Sequence, residues 1–504
     1  MNAVPVTRFN LNGSPALAGA SEDDFIGSTA SLSLSFLNSS PDQPGYVPFI
    51  DLTLPANPNG VTFAGATYLG QPVVAQTVIF DASGHATHPF LKGSSGNPVI
   101  INGAPGATLV VLSLPFGSFT PGQTPADISV SLNVSSSALL KSPLDITATP
   151  GFAFGNSPTG VTPTNPPILG AQTDLNVVPQ VVILKTVYIG PEQETATGPS
   201  YPRAWDSVAT IAPGQTLTQL VLTQKLPDGA VFLPGSSTLL YGTGAPVYGL
   251  ADPKGVITYD ATTNTVTGTF SVPVTGGVAG STPTLQAGFY VTSNYANPAD
   301  GTTILDPSTG AFAPLTDTSN LTAHWASSNP LNPTTVTTAP AIDIITAKSI
   351  AIQKGVTDIT HGPSAYQPGD TLQYSLNGQV SNYFDLNALV MTDTLGDGQT
   401  FKSGVAPTIT IADLGQTLYS GTVSLSEYSV SGKAVDGTSV VTFNISQILA
   451  DHGKPTDLNG GTAANPAPAT ANIVFDSTID SSYTARRPHR SPSWWTRATA
   501  SATR

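Results

Sequence analysis

The sequence predicts an all-β chain of tandem β-sandwich modules with at most short helices, and three observations carry that prediction. Charged residues make up only 10% of the 504 positions, and the formal net charge is −14; ordinary globular domains hold about 25% charged residues. Thr, Ser, Val, Gly and Pro displace the helix formers, with 48 Gly and 45 Pro punctuating the chain, a composition of strands and turns. Period-two segments bounded by Pro-Gly or Asp-Gly turns recur three times in one order, the pattern of half-buried strands in sandwiches. At about 150 residues per domain the length also points to roughly three domains.

The repeats follow in chain order. In the first, Gly27-Ser-Thr29 opens a strand with Leu32, Leu34 and Phe36 on one face, followed by Ile50-Asp-Leu-Thr-Leu-Pro55 and Gly60-Val-Thr-Phe63. The second has Val181-Val-Ile-Leu-Lys185-Thr-Val187, Pro213-Gly-Gln-Thr216, Leu220-Val-Leu-Thr and Leu226-Pro-Asp-Gly229-Ala-Val-Phe232. The third has Ser349-Ile-Ala-Ile-Gln-Lys354-Gly-Val356, Pro368-Gly-Asp-Thr371, Leu372-Gln-Tyr-Ser-Leu376 and Val390-Met-Thr-Asp393-Thr-Leu-Gly-Asp-Gly398. Sandwich repeats are therefore expected over 1–170, 178–328 and 345–485, the third lacking its last strand. The Pro-rich stretches 156–167 and 328–340 read as extended, semi-rigid linkers. One short helix is expected at 445–451: Asn444 caps it, Gln447 sits three residues on, and Gly453 ends it.

Residues 486–504 break the pattern. The first 485 residues hold 12 basic and 31 acidic groups, net −19, whereas the tail carries +5 and includes Trp494 and Trp495. A frameshifted or misread end is the expectation. Trp has the single codon TGG, so Trp-Trp-Thr read two bases later gives Val-Asp, which restores the acidic, β-branched character. The alternative is a basic anchor. The start shows neither a basic segment nor an apolar core of a signal peptide, so the chain is expected to be an interior piece of a longer secreted protein. No apolar stretch is long enough to cross a bilayer as a helix. The acidic balance argues against nucleic acid. The absence of Cys excludes disulfides, thiol catalysis and Cys-ligated metals.

The Lys354-Gly-Val, Pro-Gly-Asp370-Thr and Thr392-Asp393-Thr-Leu-Gly-Asp-Gly398 segments resemble the tandem Ig-like conserved-repeat domain of unknown function in large bacterial surface proteins and exoproteins. They are also similar to the isopeptide-forming fimbrial-subunit domain. The resemblance covers about 60 residues of the third repeat and the others loosely. It implies Ig-like sandwiches with stalk or adhesin roles and no conserved catalysis. In isopeptide relatives a first-strand Lys condenses with a last-strand Asn beside a buried carboxylate, which needs a desolvated neutral amine and a proton-shuttling acid. Carried over, this makes Lys185 with Asn320, and Lys354 with Asp393, the isopeptide candidates. Gln224 stands where an acid is expected in the second repeat, and the first has no Lys near its start. The competing reading leaves these Lys side chains solvated at strand ends.

His85-Ala-Thr-His88 reads as a solvated hairpin loop rather than a metal site, and no metal site is expected. The Asp-rich segments Glu22-Asp-Asp24, Asp300 to Asp306 and Asp393 to Asp397 read as turns capped by Asp, with calcium at module junctions as the alternative. No nucleophile elbow, P-loop, dinucleotide fingerprint or zinc-protease helix is present, so no catalytic residue, enzyme activity or cofactor is expected. The expected function is a structural or adhesive segment of a large secreted or surface-displayed bacterial protein, at the cell surface or outside it. Its expected partners are neighbouring domains, with glycans or other surface proteins as further partners. The alternative is a carbohydrate-binding accessory region of a polysaccharide-acting exoenzyme.

Overall fold

The structure, a computed structural model, describes residues 2–56, 60–190, 194–241, 249, 252, 254–277, 282–293, 304, 314–363, 366–382, 384–461, 467–482 and 498–503. Among them, strands dominate and the one α-helix is Ile445–Asp451. Asn444 Oδ1 accepts from Gln447 N at 3.0 Å, and Ile445, Ile448 and Leu449 are buried. The helix therefore forms as its cap and apolar stripe dictate.

In the first unit the strand Thr29–Asn38 alternates as its sequence does, with Leu32, Leu34 and Phe36 inward and Ser31, Ser33 and Ser35 facing out. It lies between Pro5–Leu11 and Ala126–Val134 in a six-stranded sheet. The opposing seven-stranded sheet centres on Pro48–Leu54, whose two faces are both covered. Ile50, Leu52 and Leu54 join the main core, while Phe49 meets Phe80, Leu91, Leu109 and Val111 in a second cluster. The hairpin of His85–Lys92 and Pro98–Asn102 covers that outer side. The unit thus has a third layer.

The second unit packs a five-stranded sheet on an eight-stranded one, and Trp205 stacks on Phe289 with ring centroids 4.0 Å apart. The third packs a six-stranded sheet on a five-stranded one around its own core. These are tandem Ig-like β-sandwiches.

The Pro-rich stretches do not act as linkers. Residues 156–167 fold on themselves: Asn165 Nδ2 donates to Phe154 O and Gly160 O, and its Oδ1 accepts from Asn156 N. The next strand, Thr173–Gln180, pairs with Leu144–Phe152 of the first unit, so that unit's sheet continues past 170. Within 328–340, Thr335–Thr337 pairs with Pro314–Trp325, and Ala341–Lys348 pairs with the same strand. The true crossings are one residue long. Only Val181 separates Thr173–Gln180 from Val182–Ile189, and only Ser349 separates Ala341–Lys348 from Ile350–Asp358.

Both crossings are locked by side-chain amides. At the first, Asn332 Oδ1 accepts from Leu140 N at 2.8 Å and Asn332 Nδ2 donates to Ala138 O at 2.9 Å. Asn329 Nδ2 donates to Ser137 O at 2.8 Å, and one hydrophobic cluster runs through both units. At the second, Asn382 Oδ1 accepts from Ser200 N at 3.1 Å, Ser381 Oγ accepts from Thr197 N at 2.7 Å, and Tyr201 donates to Ala469 O at 3.0 Å.

The third unit does not lack a strand beside Asp393. Ala498–Thr503 pairs antiparallel with Asp385–Leu395, so six residues of the tail lie within the sandwich. Residues 486–497, including Trp494 and Trp495, lie outside the described residues, as do Asp300 and Asp306.

Candidate functional site

The chemically distinctive groups lie between the sheets. In the third unit, Lys354 on Ile350–Asp358 and Asp393 on Asp385–Leu395 come from opposite sheets and meet. Lys354 Nζ is 2.6 Å from Asp393 Oδ1, with side-chain exposures of 6% and 0%, so this Lys is not a solvated strand-end residue. The ammonium also lies 4.8 Å from the centroid of the Tyr374 ring. Burial pushes the Asp393 carboxyl up and the Lys354 ammonium opposes it. Asp393 Oδ2 is buried without a hydrogen-bond partner among the described residues.

An isopeptide bond also needs an amide beside this pair. The neighbouring strand, Ala498–Thr503, reads Ala-Thr-Ala-Ser-Ala-Thr and holds no Asn. Ala498 lies directly opposite Asp393. The arrangement is therefore an ion pair stabilised by proximity, without a carboxamide from that strand to condense with.

In the second unit the expected pairing fails. Lys185 and Asn320 are both exposed and lie on different sheets, Lys185 opposite Val208 and Asn320 opposite Thr223. Each points away from the core. The reason is parity: in Pro314–Trp325 the buried positions are Leu315, Asp317, Ser319, Leu321, Ala323 and Trp325, so an even-numbered residue faces out.

The inward acid is Asp317. Its Oδ2 accepts from Thr186 Oγ1 at 2.8 Å and from Gln224 Nε2 at 3.0 Å, and Ser319 stands 3.5 Å away. Ser207 and Ser319 hydroxyls complete the cluster at 2.6 Å. Asp317, Gln224, Ser207 and Ser319 are all 0% exposed. Burial pushes the Asp317 carboxyl up to about 7, with the nearby Asp343 adding to the rise and the hydrogen bonds from Thr186 and Gln224 opposing it. Gln224 occupies the strand position that Asp393 holds in the third unit, and lies opposite Ser319. The two units thus keep polar clusters between equivalent strands, one charged and one built on an acid with no cation beside it among the described residues. Sequence reasoning missed Asp317, although an acid on the mainly apolar face of an alternating strand was the available signal.

In the first unit His88 is buried, not part of a solvated loop. His85–Lys92 is a strand, and three-residue spacing sends His85 out and His88 in. His88 Nδ1 accepts from Leu91 N at 3.0 Å, leaving Nε2–H to donate to Asp51 Oδ1 at 3.1 Å. Both rings of Phe49 and Phe90 meet the imidazole edge to face. The acidic segment at 22–24 is likewise an edge strand, Ser21–Phe25, rather than a turn, and Asp393 lies within a strand.

No family model and no curated protein matches the chain. Solved structures with which it shares a likeness include the C-terminal domain of the Streptococcus agalactiae AgI/II polypeptide BspA (10% identity, 68% of this chain and 99% of that one, TM-score 0.21). The full-length major pilin SpaD from Corynebacterium diphtheriae is another (12% identity, 80% of this chain and 77% of that one, TM-score 0.23). A third is the collagen adhesin CNA from S. aureus (12% identity, 69% and 95% coverage, TM-score 0.20). At these scores the fold assignment rests on the sheet pairings themselves.

Proposed function

We propose that this chain is a rigid structural and adhesive segment of a secreted or surface-displayed protein, in which three sandwiches act as one rod. The observation that carries this reading is the pair of one-residue crossings, each held by an Asn side chain that bonds the neighbouring unit's backbone. A hinge needs chain that can change its backbone angles and contacts weak enough to part; neither crossing offers it. The sealed polar clusters fit the same role. Asp317 and Asp393 are both 0% exposed, so they act on the fold rather than on a substrate. Solution scattering from the full chain tests the reading. One extended, invariant particle shape across salt and temperature supports it, and the scattering of jointed, independently moving units would contradict it.

A further inference from the structure

We propose that the outward face of the first unit's six-stranded sheet is a binding groove for a neutral oligosaccharide. A groove of about 750 Å³ lies there, inside the range of about 300–1,000 Å³ usual for small-ligand sites. Ser31, Ser33 and Ser35 line it along one strand, because every second residue of Thr29–Asn38 faces out and each of these is small. Asn10 and Asp127 line it from the two neighbouring strands, and Glu22 lines it from Ser21–Phe25, the edge strand of the opposing sheet.

Its polar groups are fixed before any ligand arrives. Asn10 Nδ2 donates to Ser35 Oγ at 2.6 Å, and Ser35 Oγ donates to Asp127 Oδ1 at 2.6 Å. Such a preorganised row reduces the side-chain ordering that binding would otherwise cost.

The chemistry selects the ligand class. No Lys or Arg lines the groove, so a phosphate, sulfate or uronate would face carboxylates with no counter-charge. No aromatic side chain lines it either, which removes the platform an apolar ring would need. What fits is a chain of hydroxyls. Each can donate to a carboxylate and accept from an amide or a Ser hydroxyl. This goes beyond the rod reading, and the two fail separately: an empty groove leaves the crossings unchanged.

The test is calorimetric titration of the full chain with maltohexaose, cellohexaose and xylohexaose, with octalysine as a cationic comparison. The expected result is binding of at least one hexasaccharide with a Kd of about 1 mM or tighter. Ser33→Trp, which fills an exposed position in the groove, should weaken it at least about tenfold with an unchanged circular dichroism spectrum. Asp127→Ala serves as the second variant and should weaken it in the same direction. No heat from any hexasaccharide, or undiminished binding by both folded variants, overturns the proposal. Octalysine binding without glycan binding also overturns it, and makes the groove an acidic peptide site.

Discussion

Replacing Asp317 by Asn tests the buried acid of the second unit. Its carboxyl rises from an ordinary value of 3.8 to about 7 in the folded chain. A raised acid holds its proton more tightly when folded, so the stability it contributes is complete below the unfolded value and is lost as pH rises towards 7. Each tenfold change in proton affinity is about 1.4 kcal/mol, so the loss from acid to alkaline pH is about 4 kcal/mol. Asp317→Asn keeps an oxygen for Thr186 and Gln224 to donate to and removes the charge. It should therefore flatten this pH dependence and stabilise the second unit by about 2–4 kcal/mol at pH 9, while changing little below about pH 4. Trp205 and Trp325 both lie in this unit and are buried. Denaturant unfolding followed by their fluorescence, in a background where Trp494 and Trp495 are replaced by Phe, isolates the unit. If wild type and variant lose stability in parallel between pH 5 and 9, the buried-acid argument is wrong.

Other outcomes follow from the same geometry. Lys354→Met alone should destabilise the third unit by about 3–5 kcal/mol, because it strands a buried carboxylate, whereas Lys354→Met with Asp393→Leu should recover most of that loss in thermal unfolding. Intact mass should equal the sequence sum with no ammonia lost, since Lys185 and Asn320 face apart and the strand beside Asp393 carries no carboxamide; a deficit of one ammonia would contradict this. His88→Leu removes the acceptor for Leu91 N and the donor to Asp51. It should raise hydrogen exchange across the hairpin of residues 85–102 by about tenfold or more while the main core of the unit keeps its protection.

The parts of the fold that follow from local rules were legible in the sequence. Alternation placed Leu32, Leu34 and Phe36 inward, and an Asn cap with an apolar stripe placed the helix at Ile445–Asp451. Lys354 and Asp393, named from the sequence as isopeptide candidates, meet as an ion pair. The errors arose where one residue of register decides the face. Pairing Asn320 with Lys185 requires it to face inward, whereas its neighbours Ser319 and Leu321 are the buried ones, and Asp317 shares their buried face. His88 illustrates the same point, since a hairpin and a covered strand differ only in what packs above them. The Pro-rich stretches misled for another reason. Pro excludes helix, but it does not choose between an extended spacer and a closed loop; tertiary bonds such as those of Asn165 and Asn332 made that choice.

The central claim is that three sandwiches form one rod, and the absence of cysteine allows a direct measurement of it. Spin labels at Ser129→Cys and Thr258→Cys span the first crossing, and labels at Thr258→Cys and Ser420→Cys span the second; all three positions are exposed. Electron–electron double resonance should return one narrow distance distribution for each pair, and Asn332→Ala or Asn382→Ala should broaden the distribution across its own crossing only. Broad distributions in the unaltered protein would show that the units move independently, and would contradict the account.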